Sequence, residues 1–268
     1  MATSCVACQQ PLTLEIEHDS SDDEDVQAAQ SSTAAQRVGT ETVPDDVALN
    51  CGCHFHWQCL IDAYTITQCP NCSSDLVSLS PTGSQQILCD FHNEAGLQQN
   101  LDILPFLTEE AYLKAYPEDA ICRSFLELCR EGDHQAVAGL LKAQAEGSDE
   151  MDEDDEGMEQ PKKTVDEILR YQDPIGDMQS GLHAAVQAES REVAWLLLLL
   201  ASDLDISRFP ALVFQEAGAL GVMRDEKGLA GKLDIRTLRD VYGRTAEQLA
   251  VEVGGVWNGW PGTGRLAV

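Results

Sequence analysis

Basic residues are scarce in this sequence. Its 268 residues include 17 lysines and arginines against 46 aspartates and glutamates, which gives a formal net charge of -29. A chain this acidic is repelled by nucleic-acid phosphate and by anionic lipid headgroups, so we expect neither nucleic acid nor a membrane as a partner. A basic protein surface is the kind of partner that this charge favours.

Long apolar runs and a signal peptide are also lacking. The longest apolar run, VAWLLLLLA at residues 193 to 201, is far shorter than the about 20 residues of a bilayer span and predicts a buried helix. The opening MATSCVACQQ has neither a charged n-region nor an apolar h-region. We therefore expect a soluble protein of the cytoplasm or nucleus, where thiols stay reduced. Its ten cysteines then indicate metal binding more than disulfides.

The common catalytic motifs are absent as well. The sequence contains no P-loop, no GxGxxG after a strand, no GxSxG and no HExxH. Its acidic runs are typical of solvated charge and not of paired catalytic carboxylates. We therefore predict that no side chain of this protein acts as a catalytic residue.

Two acidic, low-complexity segments divide the chain, at about residues 17–46 and about 146–163. Both lack aromatic residues and cannot bury enough apolar surface to offset the entropy of ordering, so we predict that both are disordered insertions. They leave a cysteine-rich region at residues 1–78, a connecting segment at 79–118, and a region of mostly helical pattern at 119–268.

The cysteines of the first region fall into closely spaced pairs. The pairs are Cys5-x2-Cys8, Cys51-x-Cys53, His56-x2-Cys59 and Cys69-x2-Cys72. Such spacings let two side chains from one tight turn reach a single tetrahedral metal, and zinc is the usual occupant of thiolate and imidazole sites. Seven cysteines and one histidine supply eight ligands, enough for two zinc ions with four ligands each.

This series of spacings resembles the RING finger, which reads C-x2-C, a variable loop, C-x-[C/H]-x2-[C/H]-x2-C, a second variable stretch, then C-x2-C. The resemblance implies a small zinc-stapled α+β cross-brace. The first zinc would bind Cys5, Cys8, His56 and Cys59, and the second would bind Cys51, Cys53, Cys69 and Cys72. Because protein ligands fill all four positions, both ions would be structural and would supply much of the folding free energy.

His54 is an alternative to Cys53 as the fourth ligand. It would leave one residue before the fifth ligand, where the family has two, so we favour Cys53 and expect His54 to be exposed or hydrogen-bonded. Cys89, Cys122 and Cys129 fall outside the pattern. We expect Cys122 and Cys129 to be small core residues, because they lie in helical sequence.

RING fingers mostly belong to ubiquitin ligases, which bind a ubiquitin-conjugating enzyme and orient its thioester for attack. The resemblance places the docking surface for that enzyme at Val6, Ala7, Tyr64 and Pro70. The chain departs from the family where Ala7 is small, where Tyr64 stands one place later than the usual tryptophan, and where Ser73 replaces a basic residue that clamps ubiquitin. Two functions stay open: a ligase, or a non-catalytic zinc-binding scaffold.

In the helical region, two segments align without gaps. LELCREGDHQAVAGLL begins at residue 126 and LHAAVQAESREVAWLL begins at residue 182. Subtracting the acidic insertion of about 23 residues from their separation leaves about 33 residues, which is the ankyrin period. A third, partial copy is predicted at DVYGRTAEQLA, residues 240 to 250.

The second copy also resembles the ankyrin motif TPLHxAA, through SGLHAAV at residues 180 to 186. Ser180 supplies a capping hydroxyl and His183 is expected to be a structural, hydrogen-bonding histidine. The resemblance implies an all-α ankyrin-like repeat domain whose concave face binds a protein substrate. A generic helical domain of helix-turn-helix pairs is the alternative. No second helix is predicted after the third copy, which suggests an incomplete or truncated repeat. Trp257 and Trp260 look exposed, which suggests a lost or intermolecular contact.

Overall fold

The computed structural model describes residues 4–17, 40–63, 67–146 and 162–268. The chain divides into two compact units, Met1–Ala111 and Tyr112–Val268. We call them the cysteine-rich unit and the helical unit. None of the helices in these ranges is long and apolar enough to cross a membrane.

The cysteine-rich unit is built from antiparallel strands. β1 (Thr13–Glu17) pairs with β2 (Thr40–Pro44) as a separate ribbon. The main sheet has the order β4-β3-β6-β5, and β7 also pairs with β6. Its strands are β3 (Asp46–Leu49), β4 (His54–Phe55), β5 (Val77–Leu79), β6 (Gln85–Asn93) and β7 (Gly96–Asp102). Helix α1 (Trp57–Ala63) follows β4, and α2 (Leu104–Ala115) follows β7.

Ordered structure reaches into the first acidic segment. Residues 40 to 46, which we expected to be disordered, include all of β2 and the first residue of β3, with Asp45 between the two strands. Threonine and valine favour strands, and Val43 pairs with Leu14 of β1. The remaining parts of the two predicted insertions, 18–39 and 147–161, lie outside the described residues.

The connecting segment supplies much of the main sheet. β6 alternates between buried and more exposed positions and pairs with both β3 and β5. Its Ile87 and Cys89 are fully or almost fully buried, together with Val47 and Phe55 of the neighbouring strands. In the same cysteine-rich unit, the ring of Trp57 stacks on the ring of Phe91, with ring centroids 5.3 Å apart. The cysteine-rich unit is therefore larger than the predicted region 1–78, but its core is still small.

Eight further α-helices lie in the described residues of the helical unit. They are α3 (Ala120–Glu131), α4 (His134–Glu146), α5 (Val165–Leu169), α6 (Gly181–Gln187), α7 (Arg191–Ala201), α8 (Ala211–Leu220), α9 (Glu226–Leu229) and α10 (Ala246–Val253). The aligned sequence segments correspond to two helix pairs, α3 with α4 and α6 with α7. The apolar run predicted to be a buried helix lies in α7, whose leucines are almost all buried.

The turns before α6 and α10 are built alike. Asp173 and Asp240 are both buried, and each is paired with arginine: Arg130 Nη2 lies 2.8 Å from Asp173 Oδ2, and Arg244 Nη2 lies 2.8 Å from Asp240 Oδ2. The backbone N–H of Val241 donates to the carbonyl of Asp177 at 2.8 Å, which joins the two turns. His183 is buried and its Nε2 lies 3.0 Å from the carbonyl oxygen of Arg244. The histidine therefore has the structural role that we predicted.

The C-terminal residues fold back onto the helical core. Trp257 is fully buried and Trp260 is 5% exposed, so the prediction that both are exposed was wrong. Trp257 Nε1–H donates to the carbonyl of Val186 at 2.9 Å, and Trp260 packs on Trp195 with centroids 4.7 Å apart. A 3-10 helix at Gly255–Trp257 follows α10, where the sequence predicted no second α-helix.

Candidate metal centres

Eight side chains of the cysteine-rich unit gather into two groups of four. One group is Cys5, Cys8, His56 and Cys59; the other is Cys51, Cys53, Cys69 and Cys72. Within each group, all four potential ligand atoms lie within 4.8 Å of one another. Zinc–sulfur bonds of about 2.3 Å in a tetrahedron separate two sulfurs by about 3.8 Å. Each group is therefore compact enough to hold one metal ion.

The two CxxC pairs adopt the same turn. Gln9 N donates to Cys5 O at 2.9 Å, and Ser73 N donates to Cys69 O at 2.9 Å. Gln9 and Ser73 both have a positive φ, 65° and 59°, which reverses the chain directly after the second cysteine. This shared turn directs both thiols of a pair to the same side.

Strand β4 lies between the two remaining pairs. Cys51 and Cys53 flank Gly52, whose φ of 81° is a left-handed conformation that glycine adopts without steric cost. Helix α1, which carries Cys59, begins after β4 at Trp57. The Asp45 carboxylate accepts a hydrogen bond from Trp57 N at 3.1 Å and so caps this helix. A two-residue strand thus separates ligands of one group from those of the other.

The contacts of its two ring nitrogens fix the orientation of the His56 side chain. Its Nε2 lies 2.7 Å from the carbonyl oxygen of Pro11, which can only accept a hydrogen bond, so Nε2 carries the proton. Its Nδ1 lies 3.2 Å from Cys8 Sγ and 3.8 Å from Cys59 Sγ. The free lone pair of Nδ1 therefore faces the thiols, as in a histidine that is oriented for metal binding by a carbonyl.

The thiols of the first group differ in acidity. Burial opposes ionisation of Cys5, but backbone hydrogen bonds from Cys8, His56 and Ala7 outweigh it and lower its pKa to about 6. Burial, the largest cause, and the neighbouring Cys8 and Cys5 together raise the pKa of Cys59 to about 12. One ionised thiol thus disfavours ionisation of the next thiol, and the positive charge of a bound cation would offset that repulsion.

The thiols of the second group also differ in acidity. The hydroxyl and backbone of Ser74 lower the pKa of the Cys72 thiol to about 6. Burial, the largest cause, and the thiols of Cys69 and Cys72 together raise the pKa of Cys51 to about 12, against a backbone hydrogen bond from Cys53 that lowers it. Asn71 Nδ2 also donates to Cys53 Sγ at 3.3 Å and lowers the pKa of that thiol, but burial and the neighbouring Cys69 outweigh it and the pKa is raised. The donor chemistry of both groups therefore fits a divalent cation.

His54 does not belong to either group. Its Nδ1 lies 2.7 Å from Asp46 Oδ1, so it is hydrogen-bonded, one of the two states expected for it. Cys89 is buried in the cysteine-rich unit, and Cys122 and Cys129 are fully buried in the helical unit, where we predicted core residues. His54 and these three cysteines therefore belong to neither group of candidate ligands.

The candidate docking residues lie mostly in the two CxxC turns. Val6 and Pro70 are half-buried, and Ala7 is exposed. Tyr64 lies outside the described residues. Ser73, at the position of the basic clamp, is exposed. The sequence did not reveal the roles of Pro11 and Asn71, because a backbone carbonyl and a single amide next to a cysteine carry no recognisable pattern.

No protein-family model, curated protein or solved structure matches this chain. What the two groups do is therefore inferred from their own geometry.

Proposed function

We propose that the two groups hold two structural zinc ions. Three thiols with one imidazole, and four thiols, are donor sets typical of zinc. Zinc bound to either group would have all four positions filled by side chains, which leaves no place for a reactive water. The chemistry that the ions supply is thus cross-linking of a small core, with binding free energy added to folding.

We further propose that the cysteine-rich unit is a RING-type module of a ubiquitin ligase. The observation that carries this proposal is the interleaving of the two groups along the chain. The first and third ligand pairs form one group, and the second and fourth pairs form the other. That order matches the cross-brace of the family, and the equal geometry of the two CxxC turns supports it.

In this proposal the chain catalyses by positioning. A ubiquitin-conjugating enzyme would dock on the surface that includes Val6, Ala7, Tyr64 and Pro70. Ubiquitin would pass from the cysteine thioester of that enzyme to a substrate lysine amine, with no covalent bond to this chain. Holding the reacting groups in an attack geometry is a large rate effect by itself.

We propose that the helical unit is an ankyrin-like repeat domain that binds the protein substrate. The two helix pairs, α3 with α4 and α6 with α7, and the buried aspartates that begin the turns before α6 and α10, support this assignment. Stacked pairs of this kind share one core and present a concave surface to a partner.

A non-catalytic scaffold is the second candidate. Ser73 cannot supply the positive charge that clamps ubiquitin in many RING ligases, and the exposed Ala7 offers little apolar area for docking. In a scaffold, the zinc-binding module and the repeats would both serve as protein-binding surfaces.

Autoubiquitination with a panel of conjugating enzymes distinguishes the two candidates. The ligase proposal expects ubiquitin chains with at least one enzyme, and loss of that activity in Pro70→Ala with zinc content unchanged. Pro81→Ala is the matched control, because Pro81 is an exposed proline in the turn after β5. A folded, zinc-loaded protein that is inactive with every enzyme would support the scaffold and contradict the ligase.

A further inference from the structure

A cleft of about 550 Å³ opens on the helical unit. One wall comes from α4 and α5, and the other comes from the segment around α8 and α9 that separates the second and third predicted repeats. The cleft is therefore formed by an insertion packed against the helices, and none of the eight candidate metal ligands lines it.

The floor of the cleft is apolar. Leu141 and Leu169 line it from the helix pairs, and Val222 and Leu229 line it from the inserted segment; each is less than a tenth exposed. Met223 also lines the cleft and is 83% exposed. A flexible, polarizable methionine at the mouth of an apolar cleft is common at surfaces that accept peptide side chains. The volume lies within the range of about 300–1,000 Å³ that is usual for ligand pockets.

The rim of the cleft carries more acids than bases. Its carboxylates are Glu146, Asp166 and Asp225, and its ammonium groups are Lys142 and Lys232. Both lysines already have partners: Lys232 Nζ lies 2.9 Å from Asp166 Oδ2, and Lys142 Nζ lies 3.8 Å from Glu146 Oε1. An anionic ligand would have to compete with these carboxylates and would meet net negative charge.

We propose that this cleft binds a segment of a partner protein that inserts a large apolar side chain and places basic residues on the rim. The apolar floor accounts for the anchor, and the one carboxylate in excess on the rim, together with the negative charge of the chain as a whole, favours flanking bases over flanking acids. The net charge of -29 would also steer a basic segment toward the protein and raise its association rate. This inference does not depend on the ligase activity or on zinc.

Selection from a phage-displayed library of random dodecapeptides against the full-length protein tests the proposal. We expect enriched peptides to carry a Leu, Ile, Met, Phe or Trp close to at least two Lys or Arg residues. Ala145→Trp fills the mouth of the cleft from an exposed position on α4, and should weaken these peptides at least tenfold. Ala143→Trp, exposed on the same helix but outside the cleft, should leave affinity within twofold of wild type.

Several results would overturn the proposal. No enrichment would do so, as would peptides that are acidic or without bases, or basic peptides that bind Ala145→Trp as well as wild type. A rise in melting temperature with decanoate or decylamine, without peptide enrichment, would assign the cleft to a small amphiphile instead. If peptides bind only after residues 147–161 are replaced by a Gly/Ser linker of equal length, the cleft belongs to the chain's own segment.

Discussion

His56 Nε2 lies 2.7 Å from the carbonyl oxygen of Pro11, and this contact presents Nδ1 of the same ring to Cys8 and Cys59. A backbone carbonyl three residues beyond Cys8 therefore holds the histidine with Nδ1 toward the thiols. His54, two residues earlier, is paired with Asp46. Variants of the two histidines can therefore compare a candidate metal ligand, His56, with a nearby histidine that is in neither group, His54.

We predict that His56→Ala weakens one zinc site and His54→Ala weakens neither. Loss of a fourth ligand opens the first group to water, whereas His54 contacts a carboxylate outside both groups. Titration with a chromophoric chelator should release one of two zinc ions at a much lower chelator concentration from His56→Ala than from wild type. Equal release curves for the two variants would contradict the ligand set.

Asp173 stabilises the helical unit through a buried cluster of charges. It is fully buried and accepts from Arg130 Nη2 at 2.8 Å, and it also pairs with Arg123. Removing one partner of such a cluster leaves the other charge uncompensated, so Asp173→Ala should lower the free energy of unfolding by about 3 kcal/mol. Urea denaturation followed by circular dichroism measures this change.

Glu127→Ala is the control for Asp173, because Glu127 also pairs with Arg130 but is 61% exposed. An exposed pair contributes little, so we expect a loss under about 1 kcal/mol. Comparable losses in the two variants would mean that burial of Asp173 does not determine its contribution.

His183 should make the helical unit sensitive to acid. Burial lowers its pKa, although the carbonyl of Arg244 partly opposes that effect. Nδ1 accepts from the backbone N–H of Ser180 at 3.4 Å, which a protonated ring could not do. Because the unfolded chain binds the proton first as pH falls, the stability from this neutral ring is complete above about pH 6.5 and declines below it.

The test is the urea midpoint between pH 7.5 and 5.5. Wild type should lose more stability over this interval than His183→Asn, which has no titrating ring at this position. His92→Asn removes an exposed histidine and should keep the pH dependence of wild type. Parallel curves for wild type and His183→Asn would rule out His183 as the source.

Trp257 ties the C-terminal residues to α6. Trp257→Phe keeps an aromatic ring but removes one of the donors to the buried carbonyl of Val186, which also accepts from Glu189 N at 3.2 Å, so we expect a loss of about 1 kcal/mol in unfolding free energy. Tyr242→Phe changes an exposed ring and should alter stability by less than about 0.5 kcal/mol. Stability of Trp257→Phe equal to wild type would show that the C-terminal residues contribute little.

The sequence was most informative where chemistry imposes local spacing. The eight residues selected from the cysteine pattern are those that the structure gathers into two groups, because two ligands from one turn must lie two or three positions apart. The buried helix at α7 was predictable for a similar reason, since a run of leucines needs a core. The fixed geometry of a capped turn also made the structural role of His183 predictable.

Long-range pairing was not predictable in the same way. β6 is stabilised by pairing with β3 and β5, and no local pattern in its sequence shows that pairing. The sequence therefore predicted only a connecting segment at residues 79 to 118. The burial of Trp257 depends on a carbonyl 71 residues earlier in the chain. The cleft depends on where the inserted segment packs, and no periodic pattern encodes that contact.

Native mass spectrometry of the zinc-loaded protein tests the central claim most directly. Two interleaved groups of four ligands predict two zinc ions per folded chain. Cys59→Ser and Cys51→Ser should each weaken a different one of the two sites. A wild-type chain that is folded with one zinc ion or none, or whose cysteines are joined in disulfides, would contradict the account.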